Sequence, residues 1–176
     1  MRPDLAGIVI GGAPGGLDEY REARRSAGAH VVLAVNKIAA LFEGPLLALA
    51  TLHAEKVGTW LAERQGPPPA YVISPTWHSR HGRVDYELPD RWGGSSGLYA
   101  VQVAIEVFDL PRIILCGVPL DGAKGHIDGR EYWDFAEDYR RGFQRAMPFI
   151  ADRVRSMSGW TSTLLGTPRT HPFANK

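Results

Sequence analysis

Gly7-Ile8-Val9-Ile10-Gly11-Gly12 and Val31-Val32-Leu33-Ala34-Val35-Asn36 are the two stretches that decide the fold. Each is an unbroken apolar run, rich in β-branched residues, that ends in glycine or a polar residue. With no polar alternate position, a strand made from such a run is covered on both faces. Residues 17–27 lie between the two and form a charged, alanine-containing helical stretch.

The same alternation continues outward. Residues 37–42 suit a short helix stopped by Gly44-Pro45, and the apolar run 46–52 takes the place of a third strand. Residues 54–65 form a helix that Gly66-Pro67-Pro68-Pro69 must end. Residues 71–74 read as a strand, 98–108 as a helix and 113–116 as a strand. A long helix over 131–153, disturbed at Pro148, precedes a last strand over 154–158 and a short helix over 161–165. Strands alternating with helices predict an α/β chain with a mostly parallel sheet and helices on both faces, a single Rossmann-like domain. That domain is expected over residues 1–165, with 166–176 as an extended C-terminal tail. Two segments break the pattern. Residues 75–94 are rich in His, Trp, Arg and Gly without periodicity, and 119–130 form a second polar loop. Long irregular stretches in a domain of this size are often functional.

Composition narrows the function classes. A chain of 176 residues, 44% of them hydrophobic, can bury a full core. A net charge of +1 gives no broad basic field, so duplex nucleic acid is not an expected partner. Arg140, Arg141, Arg145, Arg153 and Arg155 are local. They read as a solvated helix face, with an anion-facing surface as the alternative. The single cysteine, Cys116, lies in an apolar strand and excludes an intramolecular disulfide framework or a Cys-rich zinc site. No apolar run has the length of a membrane span and no leader pattern is seen, so a cytoplasmic location is expected. A homo-oligomer is compatible with these totals.

Four groups follow expected strands: the turn 11–16, Asn36, His53 and the loop 117–126. Ligands of parallel sheets bind beyond the carboxyl ends of strands. Gly11-Gly12-Ala13-Pro14-Gly15-Gly16 is neither a Walker loop nor a dinucleotide fingerprint, because its glycines do not recur at the required places. It is a tight turn or, by its position, a place where backbone approaches a ligand closely. Asn36 is a turn or cap residue, or presents its amide to a base or ribose. Gly93-Gly94-Ser95-Ser96-Gly97 opens a helix directly. Unpaired amides at a helix start, the positive end of its dipole and nearby hydroxyls together suit a phosphate.

His126 lies just past a strand end beside Asp121 and Asp128, and imidazole is the side chain suited to proton transfer near neutrality. An exposed loop histidine is the alternative. Asp121 is a turn residue or a ligand for a ribose hydroxyl or a metal. Tyr132 and Trp133 anchor the long helix or meet a ligand. His78, His81 and the other histidines lack the i, i+4 spacing with an acidic partner that a zinc helix needs, so no metal site is assigned.

Taken in order, these motifs resemble the fold group that holds the bacterial sialyltransferases of the Campylobacter type. They equally resemble the related 6-hydroxymethylpterin diphosphokinase MptE-like domains. The carriers are Ile10–Gly15, Val35-Asn36-Lys37, the Ser95–Ala100 helix start, Ile114–Asp121 and Val154–Gly159 with Leu164-Leu165. The resemblance implies that Gly11, Gly12, Ala13, Pro14, Asn36, Ser95, Ser96 and Gly97 hold a nucleotide. It places Tyr132 near phosphate and makes His126 the base. Gly15 stands where that group usually has serine, and His126 follows its strand sooner than the sialyltransferase base does. The implied activity is a small transferase with a nucleotide-activated donor, glycosyltransferase-like and of the CMP-sugar type, with His126 or Asp121 as base. A diphosphokinase-like enzyme working on magnesium-bound ATP is the second expectation. A non-catalytic nucleotide-binding or structural module, of the kind a phage or mobile element carries, is the third. No cofactor beyond the nucleotide donor is implied, with magnesium allowed.

Overall fold

Val9, Leu33 and Leu115 point to one side of the sheet, while Ile8, Ile10, Val32, Ala34, Ile114 and Cys116 point to the other, and all are buried. A run that is apolar at every position thus fills two cores at once. The computed structural model describes residues 4–75, 83–121, 125–127 and 135–173. Seven strands form one all-parallel sheet in the order β5-β4-β3-β2-β1-β6-β7. They are β1 (Ala6–Ile10), β2 (His30–Val35), β3 (Ala48–Ala50), β4 (Tyr71–Ser74), β5 (Tyr86–Glu87), β6 (Arg112–Cys116) and β7 (Val154–Ser156). The fold is a single Rossmann-like α/β domain.

Among the described residues six α-helices cover the faces: α1 (Gly16–Ala27), α2 (Ile38–Leu41), α3 (Val57–Glu63), α4 (Ser96–Glu106), α5 (Ala136–Ile150) and α6 (Gly159–Leu165). α1, α2 and α3 pack on one side through Ala23, Ala27, Ile38, Val57 and Trp60. α4 and α5 pack on the other through Leu98, Val101, Phe143 and Ile150. α4 is buried without interruption from Ser96 to Ala104, as its nearly all-apolar sequence requires. The polar groups of Tyr99 and Gln102 in its middle are satisfied. Tyr99 donates to Leu88 O at 2.9 Å, while Gln102 donates to Pro89 O and accepts from Arg91 N–H. These bonds fasten the loop before α4 onto the helix.

The elements differ from expectation in four places. The stretch 75–94 contains a two-residue strand, β5, whose side chains are both exposed, so no apolar alternation announces it. The helix expected over 54–65 opens as a 3-10 turn, Ala54–Lys56, before α3. It ends at Glu63 because the Arg64 guanidinium turns away to the carbonyls of Ala39, Phe42, Gly44 and Pro67. α5 runs through Pro148 to Ile150. Within 166–173, expected to be extended, Thr167–Thr170 form a hydrogen-bonded turn, and Arg169 meets Glu22 at 2.6 Å. Among the described residues no helix is long and apolar enough to cross a membrane.

Candidate functional site

The chain runs outward from β1 through β2, β3 and β4 to β5, then α4 carries it back to β6 on the other side of β1. The connections after β1 and β6 leave in opposite directions, and that divergence opens a crevice at their carboxyl ends. Its floor is built from backbone. Gly11 N–H donates to Cys116 O at 2.7 Å and Ala13 N–H to Gly117 O at 3.1 Å. A Cβ on Gly11 would lie 2.5 Å from Gly117 O. Gly117 has a left-handed φ of 65°, and a Cβ there would lie 2.6 Å from Gly11 O. The two turns touch because neither carries a side chain.

A carboxylate fixes this floor from behind. Glu19, one turn into α1, accepts from Gly117 N–H at 2.7 Å and from the Ser158 hydroxyl at 2.5 Å. It thereby ties α1 to the loops after β6 and β7. Cys116, beside it, is fully buried, and burial, with the Glu19 and Glu22 charges, pushes its thiol well above the ordinary range.

His126 enters over the first turn. Ile127 N–H donates to Gly12 O at 2.9 Å, and the imidazole lies over Gly12, so close that a Cβ on Gly12 would stand 2.4 Å from Nε2. On the opposite wall, α4 begins. Ser95 caps it, its hydroxyl accepting from Leu98 N–H at 3.2 Å. The Ser96 and Gly97 amides, and the Ser96 hydroxyl, have no hydrogen-bond partner among the described residues, although Ser96 is only 8% exposed. Gly93 and Gly94 lie against α5. A Cβ on Gly142 of α5 would lie 2.6 Å from Gly93 O.

The third wall comes from the end of β2. Asn36 adopts a left-handed φ of 55°. Its Oδ1 accepts from the Thr51 hydroxyl at 2.7 Å, and Thr51 Oγ1 accepts from His53 N–H at 2.8 Å. His53 Nδ1 lies 3.4 Å from Glu55.

These walls enclose a cavity of about 270 Å³. It collects Gly11, Gly12, Asn36, Ser95, Ser96, Gly97 and His126 from turns far apart in the chain. Ala13 and Pro14 do not line it. Ala13 is buried with its N–H on Gly117 O, and Pro14 is exposed at the turn tip. Asp121 does not line it either; its Oδ1 accepts from Trp160 N–H at 2.7 Å, at the first turn of α6. Tyr132, Trp133, Asp128, His78 and His81 lie outside the described residues.

Sequence reading missed Lys37, Lys56, Trp60, Phe135 and Tyr139, which also line the cavity. Lys56 and Trp60 share one helix face at i, i+4, which was the available signal. The described lining thus has two lysines, two histidines and three aromatic rings, and no carboxylate. Neither lysine forms an ion pair with a carboxylate among the described residues. Among those residues no cluster of His, Cys, Asp and Glu suits a metal ion. Such a wall attracts an anion and offers rings to a flat group. Comparison of the chain with protein-family models, with curated proteins and with solved structures finds no match.

Proposed function

We propose that the crevice holds a nucleotide-activated donor and that the chain is a small transferase, glycosyltransferase-like in its chemistry. One observation carries this reading. The Ser96 and Gly97 amides with the Ser96 hydroxyl, at the positive end of α4, face the same 270 Å³ cavity as the Gly11–Gly12 turn and His126. Amides aimed at a phosphate stabilise it most as negative charge develops on it. The aromatic rings of Trp60, Phe135 and Tyr139 suit a base of any identity by stacking.

The chemistry follows from that placement. His126 removes the proton from an acceptor hydroxyl, whose oxygen attacks the donor carbon bonded to the phosphate oxygen. The carbon–oxygen bond to phosphate breaks, and its electron pair stays on the nucleotide phosphate, where the α4 amides and Ser96 receive the charge. Asp121 supports α6 through Trp160 N–H, and His126, which lines the cavity, is the base in this reading.

A thermal-shift series with CMP, CDP, UDP, GDP and ATP, each with and without magnesium, tests the reading. One nucleotide at a hundred times its Kd should stabilise the fold by about 2.7 kcal/mol without metal, a rise of roughly 5–10 °C. Stabilisation by ATP alone, strictly dependent on magnesium, would point to a diphosphokinase instead. No shift with any nucleotide at millimolar concentration would overturn both. His126→Ala should keep the nucleotide shift and slow release of nucleotide from its sugar conjugate about 100-fold or more. An unchanged rate would remove His126 from the base role.

A further inference from the structure

We propose that the nucleotide bound here carries a second phosphate, on its ribose, held at the end of β2 by Asn36, Lys37 and Lys56. This rests on the nucleotide reading above and narrows it to a substrate class.

The position comes first. In a doubly wound sheet, a nucleotide whose phosphate sits at the switch point lays its ribose against the end of β2. A carboxylate there accepts the ribose hydroxyls and repels any phosphate on them. This chain has Asn36-Lys37 at that place.

The chemistry of Asn36 comes next. Thr51 Oγ1 is an acceptor for His53 N–H, so its own hydrogen goes to Asn36 Oδ1. Asn36 lines the cavity with one acceptor site of its oxygen taken by Thr51, and its Nδ2 hydrogens can only donate. Lys37 and Lys56 line the same cavity. Arg21, Arg83, Arg140, Arg141, Arg153 and Arg169 each meet a carboxylate. Lys37 and Lys56, which line the cavity, meet none among the described residues. A ribose diol both donates and accepts and carries no charge for two cations to match. A phosphate monoester, with nearly two negative charges, matches one amide donor and two ammonium groups. The cavity therefore has two separate anion-attracting ends, the start of α4 and the end of β2, with Val35 lining the same cavity.

Isothermal titration of the full chain with five probes tests this. They are adenosine 5′-monophosphate, adenosine 2′,5′-bisphosphate, adenosine 3′,5′-bisphosphate, cytidine 5′-monophosphate and cytidine 3′,5′-bisphosphate. At least one bisphosphate should bind tenfold or more tightly than its own monophosphate, and the 2′ and 3′ arms tell which hydroxyl carries the group. In Lys37→Gln/Lys56→Gln that ratio should fall to about one. In Arg24→Gln/Arg25→Gln, an equal charge change on exposed α1 residues, it should persist. Circular dichroism and Tm establish that each variant is folded. A bisphosphate no tighter than its monophosphate, or a ratio that survives loss of both lysines, overturns the ribose-phosphate site and leaves the nucleotide reading standing. No binding by any probe overturns the ribose-phosphate site, and together with no thermal shift from UDP or GDP it overturns the nucleotide reading too.

Discussion

At Gly12 the space for a single methyl group decides where His126 rests. A Cβ there would lie 2.4 Å from Nε2, well inside contact distance, yet Gly12 itself has no left-handed φ. Gly12→Ala should therefore move the imidazole while changing Tm by no more than about 3 °C, and turnover should fall with little loss of fold. Gly117→Ala is a different experiment. It forces a side chain into left-handed backbone and against Gly11 O, so urea unfolding should show a loss of about 2 kcal/mol or more. The sequence makes Gly11, Gly12, Asn36 and Ser95–Gly97 legible because each directly follows or opens an apolar run. Lys56 and Trp60 are less legible, because only the placing of β3 beside β2 brings that helix start to the cavity. Asp121 shows the limit of proximity in sequence. It stands five residues before His126 but does not line the cavity, and its Oδ1 accepts from Trp160 N–H at the start of α6.

Among the elements, α4 and α1 carry the site's geometry. Ser95 caps α4 through Leu98 N–H, and Ser95→Ala should cost about 1 kcal/mol in unfolding free energy while weakening nucleotide binding. Glu19 of α1 accepts from two loops at once. Glu19→Ala should cost about 2 kcal/mol by leaving Gly117 N–H without its acceptor, and Glu19→Gln, which keeps an oxygen, should cost less. β6 carries a thiol that burial holds protonated. Cys116 should resist a thiol-modifying reagent at pH 8 in the native protein and react fully in denaturant. A native chain that reacted within minutes would contradict that burial. Most of these elements are readable from continuous apolar runs, which leave little choice of face. β5 and the 3-10 turn are not readable, because exposed Tyr86–Glu87 pair with β4 and the Thr51 hydroxyl before the turn is held by Asn36, neighbours distant in sequence.

On the scale of the whole molecule, the crevice belongs to neither half of the chain. Its turn over Gly11–Gly12 comes from the first strand, its floor from the sixth, and its amides from the helix that joins the two sides of the sheet. The stabilisation expected from a nucleotide should therefore appear in the single global unfolding transition and not as a separate local one. Pairing of β1 with β6 joins Ala6 to Arg112 and Ile10 to Cys116. Closing so long a loop comes late in folding, after β1 to β4 can already associate through nearer contacts. A nascent chain thus has no binding site until β6 has left the ribosome. In refolding from urea, nucleotide added at the start should leave the early phase of total tryptophan fluorescence unchanged and slow only unfolding of the finished fold, the behaviour expected of a latch on a finished molecule and not of a template for making it.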